Sequence, residues 1–513
     1  MDKSEEKKPV DKSRRNFLIA GGAAVVVIAA GGAYYLMTQQ APPPSMTSTT
    51  AAPPSTTAAM TTTAAPTTAA VTSAAGVTAA NPSVTVRYLG YPFFLPQDAV
   101  KQWHDLTGQT IDATFAEAFV IGQKQLANLS AWDLGGSLRH RPLVTANALQ
   151  RMPLSGVTRW ADTSKIEDTF IHPEKYFSEA QAKRFNFLLW ADQGNARDAL
   201  ISVPCIWNFD SISYLPEKIP FTEHGGDHIT FAYDELFKPE WKGTVGMQDE
   251  GYTSFTEPAN MLNASGQLTI SGAISSMTTA EVDQVYNYLL PIIKSGQVRT
   301  FWGDYATIVN LLATKELYMA STWQPVCFDT RKAGTPCYYA RLRDGPFFWF
   351  NSNYMSSGAN PAAVPDCLNI MNWTQEAWMQ LLYTRQGYPS PAVGYDDYRG
   401  EMGDEYYNWF FNGGATYLSI TDAIKFCWPD HPEFANLDPK IQNALFTQDV
   451  YFKGALSGGQ LRTGTPDPNG NLRDLGSIPQ KNAITRYFLS PDLPDNNDYY
   501  VTKYTQLKAL IPS

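Results

Sequence analysis

The residue types that most often carry chemistry are scattered along this chain of 513 residues. Its five cysteines show neither a Cys-x-x-Cys pair nor a zinc-ligand spacing. Of its six histidines, His224 and His228 flank two glycines, which cannot hold the helical face of a metal motif. The sequence also has no Gly-x-Ser-x-Gly elbow, no phosphate-cradling loop and no catalytic Cys/His pairing. We therefore predict no enzymatic activity, no metal site and no cofactor.

The cysteines have another use if the protein is exported. In an oxidising compartment the nearest pair along the chain, Cys327 and Cys337, is the first candidate for a disulfide. The odd count leaves at least one thiol free or bonded to another chain. Two buried, unbonded cysteines are the alternative.

The N-terminal residues indicate export. Arg14 and Arg15 precede an apolar run, residues 17–37, that contains no charged side chain. This pattern resembles a twin-arginine export signal. A run of about 20 apolar residues spans a bilayer of roughly 30 Å, and the small-residue cleavage pattern is poor here. We predict a membrane anchor in residues 1–40, and a cleaved signal is the alternative.

Residues 41–81 are almost wholly Ala, Thr, Pro, Ser and Met. Such a segment has too few large apolar groups to offset the entropy of folding. It predicts an extended stalk that reaches up to about 120 Å, either O-glycosylated or an undecorated linker.

The composition changes to that of a large folded body over residues 82–513. The formal charge of −10 comes without a basic cluster, which excludes nucleic acid as a partner. Sequons for N-glycosylation begin at Asn128, Asn263 and Asn372. Together with the signal, they predict a protein that faces the outside of the cell.

Short strand-like and helix-like segments alternate in this body. The segment from Val84 to Tyr88 alternates as a strand, residues 97–105 form a helical pattern that Thr107-Gly108 ends, and residues 111–115 form the next strand. This succession favours an α/β sheet with helices on both faces.

The order of motifs resembles the extracellular solute-binding proteins of ABC importers, of the family-1 type, and within them the spermidine/putrescine-binding group. The similarity covers roughly residues 84–393. The matching segments, in family order, are the strand, aromatic turn and helix from Val86 to Gly108, Trp132-Asp133-Leu134, residues 201–207, residues 233–243, residues 299–302, residues 320–323, residues 333–336 and residues 387–391. The segment at 233–243, for example, is close to the family's Trp-x-Asp-Leu-Trp-Lys-Pro-Glu-Tyr-Lys-Gly.

The resemblance implies a type-II periplasmic-binding fold. Two α/β lobes would be joined by crossing strands, with a ligand in the cleft between them and a hinge motion that closes it. The implied partners are a small-molecule solute and the membrane subunits of an ABC importer. Residues 394–480 exceed what the family usually carries, and we treat them as an insertion. Residues 499–510 resemble the family's closing helix.

The resemblance also implies a box of aromatic side chains in the cleft. Family members hold an alkyl-ammonium chain between aromatic faces, and each face contributes about 0.5–2 kcal/mol to the binding of a cation. The positions that match are Tyr91, Phe94, Trp323, Trp349 and Tyr388. The alternative for each of them is a core aromatic.

The family's acids are less well matched. Phe93, Asn351 and Thr253 stand where the family has acidic residues, and Glu250 keeps one of them. Asn351 offers a donor and an acceptor instead of a charge. The nearby loop carries Arg139 and Arg141, which we interpret as solvated surface charges; the alternative is a basic loop beside the cleft that repels a polyamine. One acid in place of several predicts poor pairing of a polyamine's ammonium groups.

We therefore predict a monomeric, membrane-anchored receptor at the cell surface. It binds a small cationic or zwitterionic solute that is polyamine-like or amino-acid-like. A ferric iron or chelate receptor of the same fold is an alternative, because Tyr338 and Tyr339 are adjacent tyrosines of the kind that bind iron. A non-transport envelope protein or an extracellular enzyme is a third hypothesis.

Overall fold

The computed structural model describes residues 77–116, 118–219, 230–385, 387–392, 394–404 and 493–511, with short pieces between 407 and 490. The predicted anchor, residues 1–40, and residues 41–76 of the stalk predicted at 41–81 lie outside the described residues. Most of the insertion at 394–480 lies outside them as well. Val77–Ser513 form one compact unit.

A mixed sheet of ten strands lies at the centre of this unit. Its strands are β1 (Val86–Gly90), β2 (Ile111–Phe115), β3 (Leu134–Ser137), β6 (Val203–Tyr214), β8 (Val245–Gln248), β9 (Val298–Trp302), β10 (Met319–Thr322), β11 (Tyr338–Tyr339), β13 (Phe347–Met355) and β16 (Tyr487–Ser490). Eight of them lie in the order β2-β1-β3-β13-β6-β10-β8-β9, while β11 pairs with β6 and β16 with β13. Small two-stranded sheets join β4 (Met152–Pro153) to β5 (Ala199–Leu200), β7 (Thr230–Phe231) to β12 (Arg341–Leu342), and β14 (Leu456–Ser457) to β15 (Gln460–Leu461).

Helices connect most of these strands. They are α1 (Gln97–Thr107), α2 (Ala118–Ala127), α3 (Arg141–Thr145), α4 (Asp168–Ile171), α5 (Glu179–Leu189), α6 (Thr253–Ala264), α7 (Thr279–Lys294), α8 (Tyr305–Ala313), α9 (Gln324–Lys332), α10 (Val364–Thr374), α11 (Ala377–Thr384), α12 (Asp396–Met402) and α13 (Asn497–Lys508). Single turns of 3-10 helix punctuate the loops, for example Tyr233–Phe237 and Pro239–Trp241. The mixed α/β class predicted from the sequence is confirmed.

The strand directions divide the sheet into two parallel halves. Strands β2, β1 and β3 are mutually parallel at one end, and β10, β8 and β9 are mutually parallel at the other. The long strands β6 and β13 lie between the halves and run antiparallel to each other. The chain passes from the first half to the second along β6 and returns along β13. Parallel halves need helical crossovers, which the helices after β1, β8 and β9 provide.

The first helix shows how the sequence specifies a local element. Its buried side chains, Ala99, Val100 and Trp103, lie on one face of the helix. The helix ends at Thr107 because Gly108 adopts φ +73°, a left-handed conformation that favours glycine. Strand β2 has the predicted bounds, β1 begins two residues later than predicted, and α13 matches the expected closing helix within two residues.

The predicted Cys327–Cys337 disulfide is wrong in this structure. Both residues are buried and unbonded to each other, and the Cys327 thiol instead donates a hydrogen bond to the carbonyl oxygen of Cys337 at 3.0 Å. Cys327 lies inside α9, whereas Cys337 lies just before β11. The two residues are close along the chain, but their side chains do not point toward each other. A disulfide requires that alignment.

The sequons differ in exposure. Asn128 and Asn263 are exposed, which agrees with glycosylation but does not test it. Asn372 is half-buried, and its side-chain nitrogen, the atom that would carry a glycan, donates to the carbonyl of Gly156 at 2.9 Å. Its oxygen accepts from the amide of Thr158. The geometry therefore argues against Asn372 as an acceptor.

Candidate functional site

Three aromatic rings from distant parts of the chain meet at the middle of the sheet. Trp349 lies on β13, Tyr388 follows α11, and Phe93 lies in the turn between β1 and α1. The ring centroids of Trp349 and Tyr388 are 5.1 Å apart, and those of Phe93 and Tyr388 are 6.0 Å apart, both in edge-to-face geometry. We call Phe93, Trp349 and Tyr388 the aromatic cluster. Two of its members were predicted.

A glycine positions Tyr388 in this cluster. Gly387 adopts φ +86°, and a Cβ at this position would lie 2.6 Å from the side chain of Gln324. The side-chain amide of Asn208, on β6, donates to the carbonyl oxygen of Gly387 and to Gln324. The turn before Tyr388 is therefore tied directly to the central strand.

The predicted aromatics of the first turn are placed differently from the prediction. Phe94 is 1% exposed, and its ring lies edge-on to that of Phe93 with centroids 5.9 Å apart. Phe93, which stands where the family has an acid, is the ring that contacts Tyr388. Its carbonyl also accepts a hydrogen bond from the hydroxyl of Tyr383 at 2.6 Å. Tyr91 is half-buried beside Phe94, with ring centroids 6.2 Å apart.

A buried carboxylate adjoins the aromatic cluster. Asp210 is 3% exposed on β6, and its oxygens accept hydrogen bonds from Trp349 Nε1 at 2.7 Å and from Gln248 Nε2 at 3.4 Å. Burial, and then the charge of the nearby Glu257, raise the pKa of Asp210 well above its usual value. Among the described residues no Lys, Arg or His pairs with it.

Sequence analysis missed Asp210, although a signal was present. All twelve residues of β6 are buried, and Asp210 is the one acid in that run. A carboxylate is rarely fully buried without a partner. An acid inside an apolar strand is therefore a marker that could have been read from the sequence.

Glu250, the acid that the family pattern retained, already has a cationic partner. Arg139 Nη2 lies 2.6 Å from Glu250 Oε1, and the two side chains are 8% and 15% exposed. The hydroxyl of Thr253 donates to the other oxygen of Glu250. The guanidinium also lies over the ring of Tyr252, 5.5 Å from its centroid. The interpretation of Arg139 as a solvated surface charge is wrong, because it is buried in this ion pair.

A third acid, Glu257, lies in the same polar region. Its carboxyl oxygens are 2.7 Å from Ser321 Oγ, and Tyr233 donates to one of them at 2.7 Å. Burial raises the pKa of Glu257 to about 8, although these hydrogen bonds oppose the rise. Glu257 is therefore mostly uncharged at neutral pH. Gln248 lies between Ser321 and Asp210 and contacts both.

Trp323 belongs to a neighbouring aromatic group. It stacks on Tyr305, with centroids 6.3 Å apart and ring planes 13° apart, and meets Trp302 edge-on at 5.3 Å. Burial and the charge of Asp329 raise the pKa of Tyr305, and Tyr388 is near enough to contribute. The structure thus places Trp323 in a separate aromatic group with Tyr305 and Trp302.

Two buried polar atoms near the site lack a hydrogen-bond partner within the described part of the chain. Asn351, two residues beyond Trp349 on β13, is 4% exposed, and its Oδ1 accepts nothing there. The hydroxyl of Tyr487, 3% exposed, likewise finds no partner. Tyr487 is close enough to Asp210 and Glu257 for their charges to raise its pKa, after the larger effect of burial. Unsatisfied buried groups are costly and often mark a site that a ligand or water completes.

The proposed iron ligands do not form a metal site. The hydroxyl of Tyr339 donates to backbone carbonyls at Phe209 and Thr322 and accepts from the amide of Ser211. Tyr338 packs edge-on against Tyr214. The described residues also contain no group of three or more His, Cys, Asp or Glu side chains that could hold a metal ion.

None of the described helices is long and apolar enough to cross a bilayer.

The chain is similar to known binding proteins. Residues 228–401 match the family model of the bacterial extracellular solute-binding proteins. The spermidine/putrescine-binding periplasmic proteins of Escherichia coli K12 and Salmonella typhimurium are 25% and 26% identical over 194 and 195 residues, which is 37% of this chain and 50% of each relative. The chain thus spans half the length of these relatives.

Solved structures of similar shape include three binding-protein chains. A spermidine/putrescine ABC transporter protein from Listeria monocytogenes has a TM-score of 0.48 at 13% identity, covering 83% of this chain and 98% of its own. The spermidine/putrescine substrate-binding protein of Streptococcus pneumoniae has 0.45 at 12%, covering 84% and 100%. A binding protein from A. tumefaciens R10, solved with agropinic acid, has 0.42 at 14%, covering 84% and 99%.

The matched family and the relatives are solute-binding proteins and not enzymes. The resemblance that the motif order indicates is therefore confirmed, and residues 228–401 carry the signature of the bacterial extracellular solute-binding proteins.

Proposed function

We propose that this protein is an extracellular receptor that captures a small organic solute with a cationic group and delivers it to an ABC importer. The observation that carries the proposal is Asp210, a buried carboxylate without a cationic partner among the described residues, next to the rings of Trp349 and Tyr388. Aromatic faces attract cations, and a buried carboxylate supplies the opposite charge.

The strand arrangement supports a type-II periplasmic-binding fold. Two parallel half-sheets are joined by β6 and β13, and the aromatic cluster and Asp210 lie on these two strands and on the segments beside them. A site built on the connection between two halves suits a receptor that closes around its ligand. Of the predicted residues, we assign ligand contact to Trp349, Tyr388, Asn351 and Trp323.

The remaining parts of the proposal concern location and partners. Residues 17–37 would hold a monomeric receptor at the outer face of the membrane, and the Thr/Pro-rich stalk would let it reach the importer's membrane subunits. Asn128 and Asn263 remain candidates for glycosylation.

The test is direct binding. Purified protein is analysed by native mass spectrometry for co-purified solute, and then titrated calorimetrically with primary amines, amino acids and guanidinium compounds. Trp349→Ala should abolish binding, because it removes both a ring face and the donor to Asp210, whereas Tyr286→Ala, on α7 and outside the cluster, should not. A protein that binds no member of these classes, or that turns one over, contradicts the proposal. Tight binding of ferric iron would favour the chelate receptor instead.

A further inference from the structure

The three acidic side chains near the aromatic cluster differ in their ion-pair and hydrogen-bond partners. Of the three acids near the aromatic cluster, Glu250 is paired with Arg139, and Glu257 is hydrogen-bonded by Ser321 and Tyr233. Asp210 and Glu257 both have only neutral donors among the described residues, and of the two it is Asp210 that hydrogen-bonds a ring of the aromatic cluster, that of Trp349. A positive charge bound beside the cluster would therefore pair with Asp210.

Arg139 occupies the position that a second cation would need. It lies just beyond β3, in the first half of the sheet, and Glu250 lies just beyond β8, in the second half. These residues are separated by 111 positions in sequence, yet their side chains meet at 2.6 Å and are largely buried. Solvent screens such a pair weakly, and removal of one partner leaves an uncompensated charge. A diamine would have to displace this guanidinium to use Glu250.

Arg139 also offers an unused donor. Its Nε is buried and has no acceptor within the described residues. A guanidinium has five donors, and one left without an acceptor in a buried site is costly. A hydroxyl, amide or carboxylate oxygen on a ligand would satisfy it.

On the basis of the function proposed above, we propose that Arg139 determines the ligand specificity of the site. Its ion pair with Glu250 restricts the site to solutes with a single cationic group, bound at Asp210, and with a hydrogen-bond acceptor at the other end. Spermidine and putrescine are thereby disfavoured. Arg139 is a cationic side chain of this protein standing in for the second ammonium of a diamine.

The experiment compares matched ligands. Putrescine and the amino alcohol of the same length differ only in that a hydroxyl replaces one ammonium. A short series of chain lengths for both ligand types covers the distance from Asp210 to Arg139. Calorimetry on the wild-type protein should show the best amino alcohol binding at least roughly tenfold more tightly than the best diamine. Arg139→Met should shrink that ratio by at least roughly tenfold, since it frees Glu250 for the second ammonium.

Two further variants keep the test decisive. Arg141→Met, two residues away with a partner in the exposed Asp495, should leave the ratio unchanged. Glu250→Gln should weaken diamine binding further, because Arg139 then keeps an uncompensated charge. A ratio that stays constant in both Arg139→Met and Glu250→Gln overturns the inference while leaving the receptor function intact. Absence of binding by every ligand in every variant overturns the receptor function itself.

Discussion

Replacement of Asp210 by asparagine should affect binding and stability in opposite directions. Asparagine has the same shape and keeps an oxygen that accepts from Trp349 Nε1, so the packing around the 3%-exposed side chain is preserved. The substitution removes the ability to carry a negative charge and replaces one acceptor oxygen by an amide nitrogen, so Gln248 has to offer its own amide oxygen at that contact. The pKa of Asp210 is raised by burial, which means that the folded protein without ligand bears a cost for ionising this group.

The loss of binding is set by the charge pair. Breaking a buried pair by removing one partner costs about 3 kcal/mol or more, so Asp210→Asn should weaken binding of a cationic solute roughly 150-fold. Without ligand, the variant should be more stable than the wild type at neutral pH, because folding no longer has to bury a carboxyl that is ionised in the unfolded chain and whose ionised form burial disfavours. A gain in stability with a loss of binding is the expected combination for a functional residue.

The pH dependence gives an independent check with a definite sign. A cation binds the ionised form of Asp210, whose pKa is raised in the free protein, so binding should release a proton. Affinity should rise with pH until the free carboxyl is ionised, and the Asp210→Asn variant should show no such rise. Calorimetry in two buffers with different ionisation enthalpies measures the released proton, and urea unfolding measures stability. Unchanged affinity in the variant, or a parallel loss of stability and binding, would refute the reasoning.

The other predictions concern the indole, the second acid and export. Trp349→Phe keeps a ring face but loses the donor to Asp210. Cation binding should therefore weaken roughly tenfold or more, which is the effect of one hydrogen bond to a charged group. Tyr388→Phe serves as the control and should weaken cation binding less. The pKa of Glu257 is about 8 in the folded protein and 4.5 in the unfolded chain. This group alone should therefore lower the stability of the wild-type protein by about 2–3 kcal/mol between pH 5 and pH 7. Urea unfolding of Glu257→Gln should show a smaller fall over the same range. An equal fall in both proteins would contradict the assignment. Arg14→Lys with Arg15→Lys should leave folded protein in the cytoplasm on cell fractionation, and normal export of this double variant would exclude a twin-arginine signal.

Local elements could be predicted from the sequence because their causes are local. The apolar spacing of Ala99, Val100 and Trp103 and the glycine at 108 specify α1 and its end, and the alternation of residues 111–115 specifies β2. The motif order led to the family whose model matches residues 228–401. The same resemblance pointed to Trp349 and Tyr388, two members of the aromatic cluster. These inferences needed only neighbours in sequence or a resemblance in order.

Pairing between distant residues was decided by the tertiary structure. Arg139 follows β3 and Glu250 follows β8, and these strands lie in opposite halves of the sheet. The two side chains meet because β6 and β13 join the halves. The choice of Phe93 over Phe94 depends on which ring the turn directs toward Tyr388. Cys327 and Cys337 are near in sequence, yet their side chains do not align.

The sequence by itself thus determined the succession of strands and helices, the aromatic residues available to a site and the family to which they point. Only the tertiary structure decided which acid keeps an unpaired charge. That outcome is physical: whether a carboxylate is neutralised depends on the distance to a cation and on burial, and neither is encoded in the spacing of residues along the chain. The sequence marks Asp210 as the one acid of a long apolar run, but only the fold places it beside Trp349 and pairs Arg139 with Glu250.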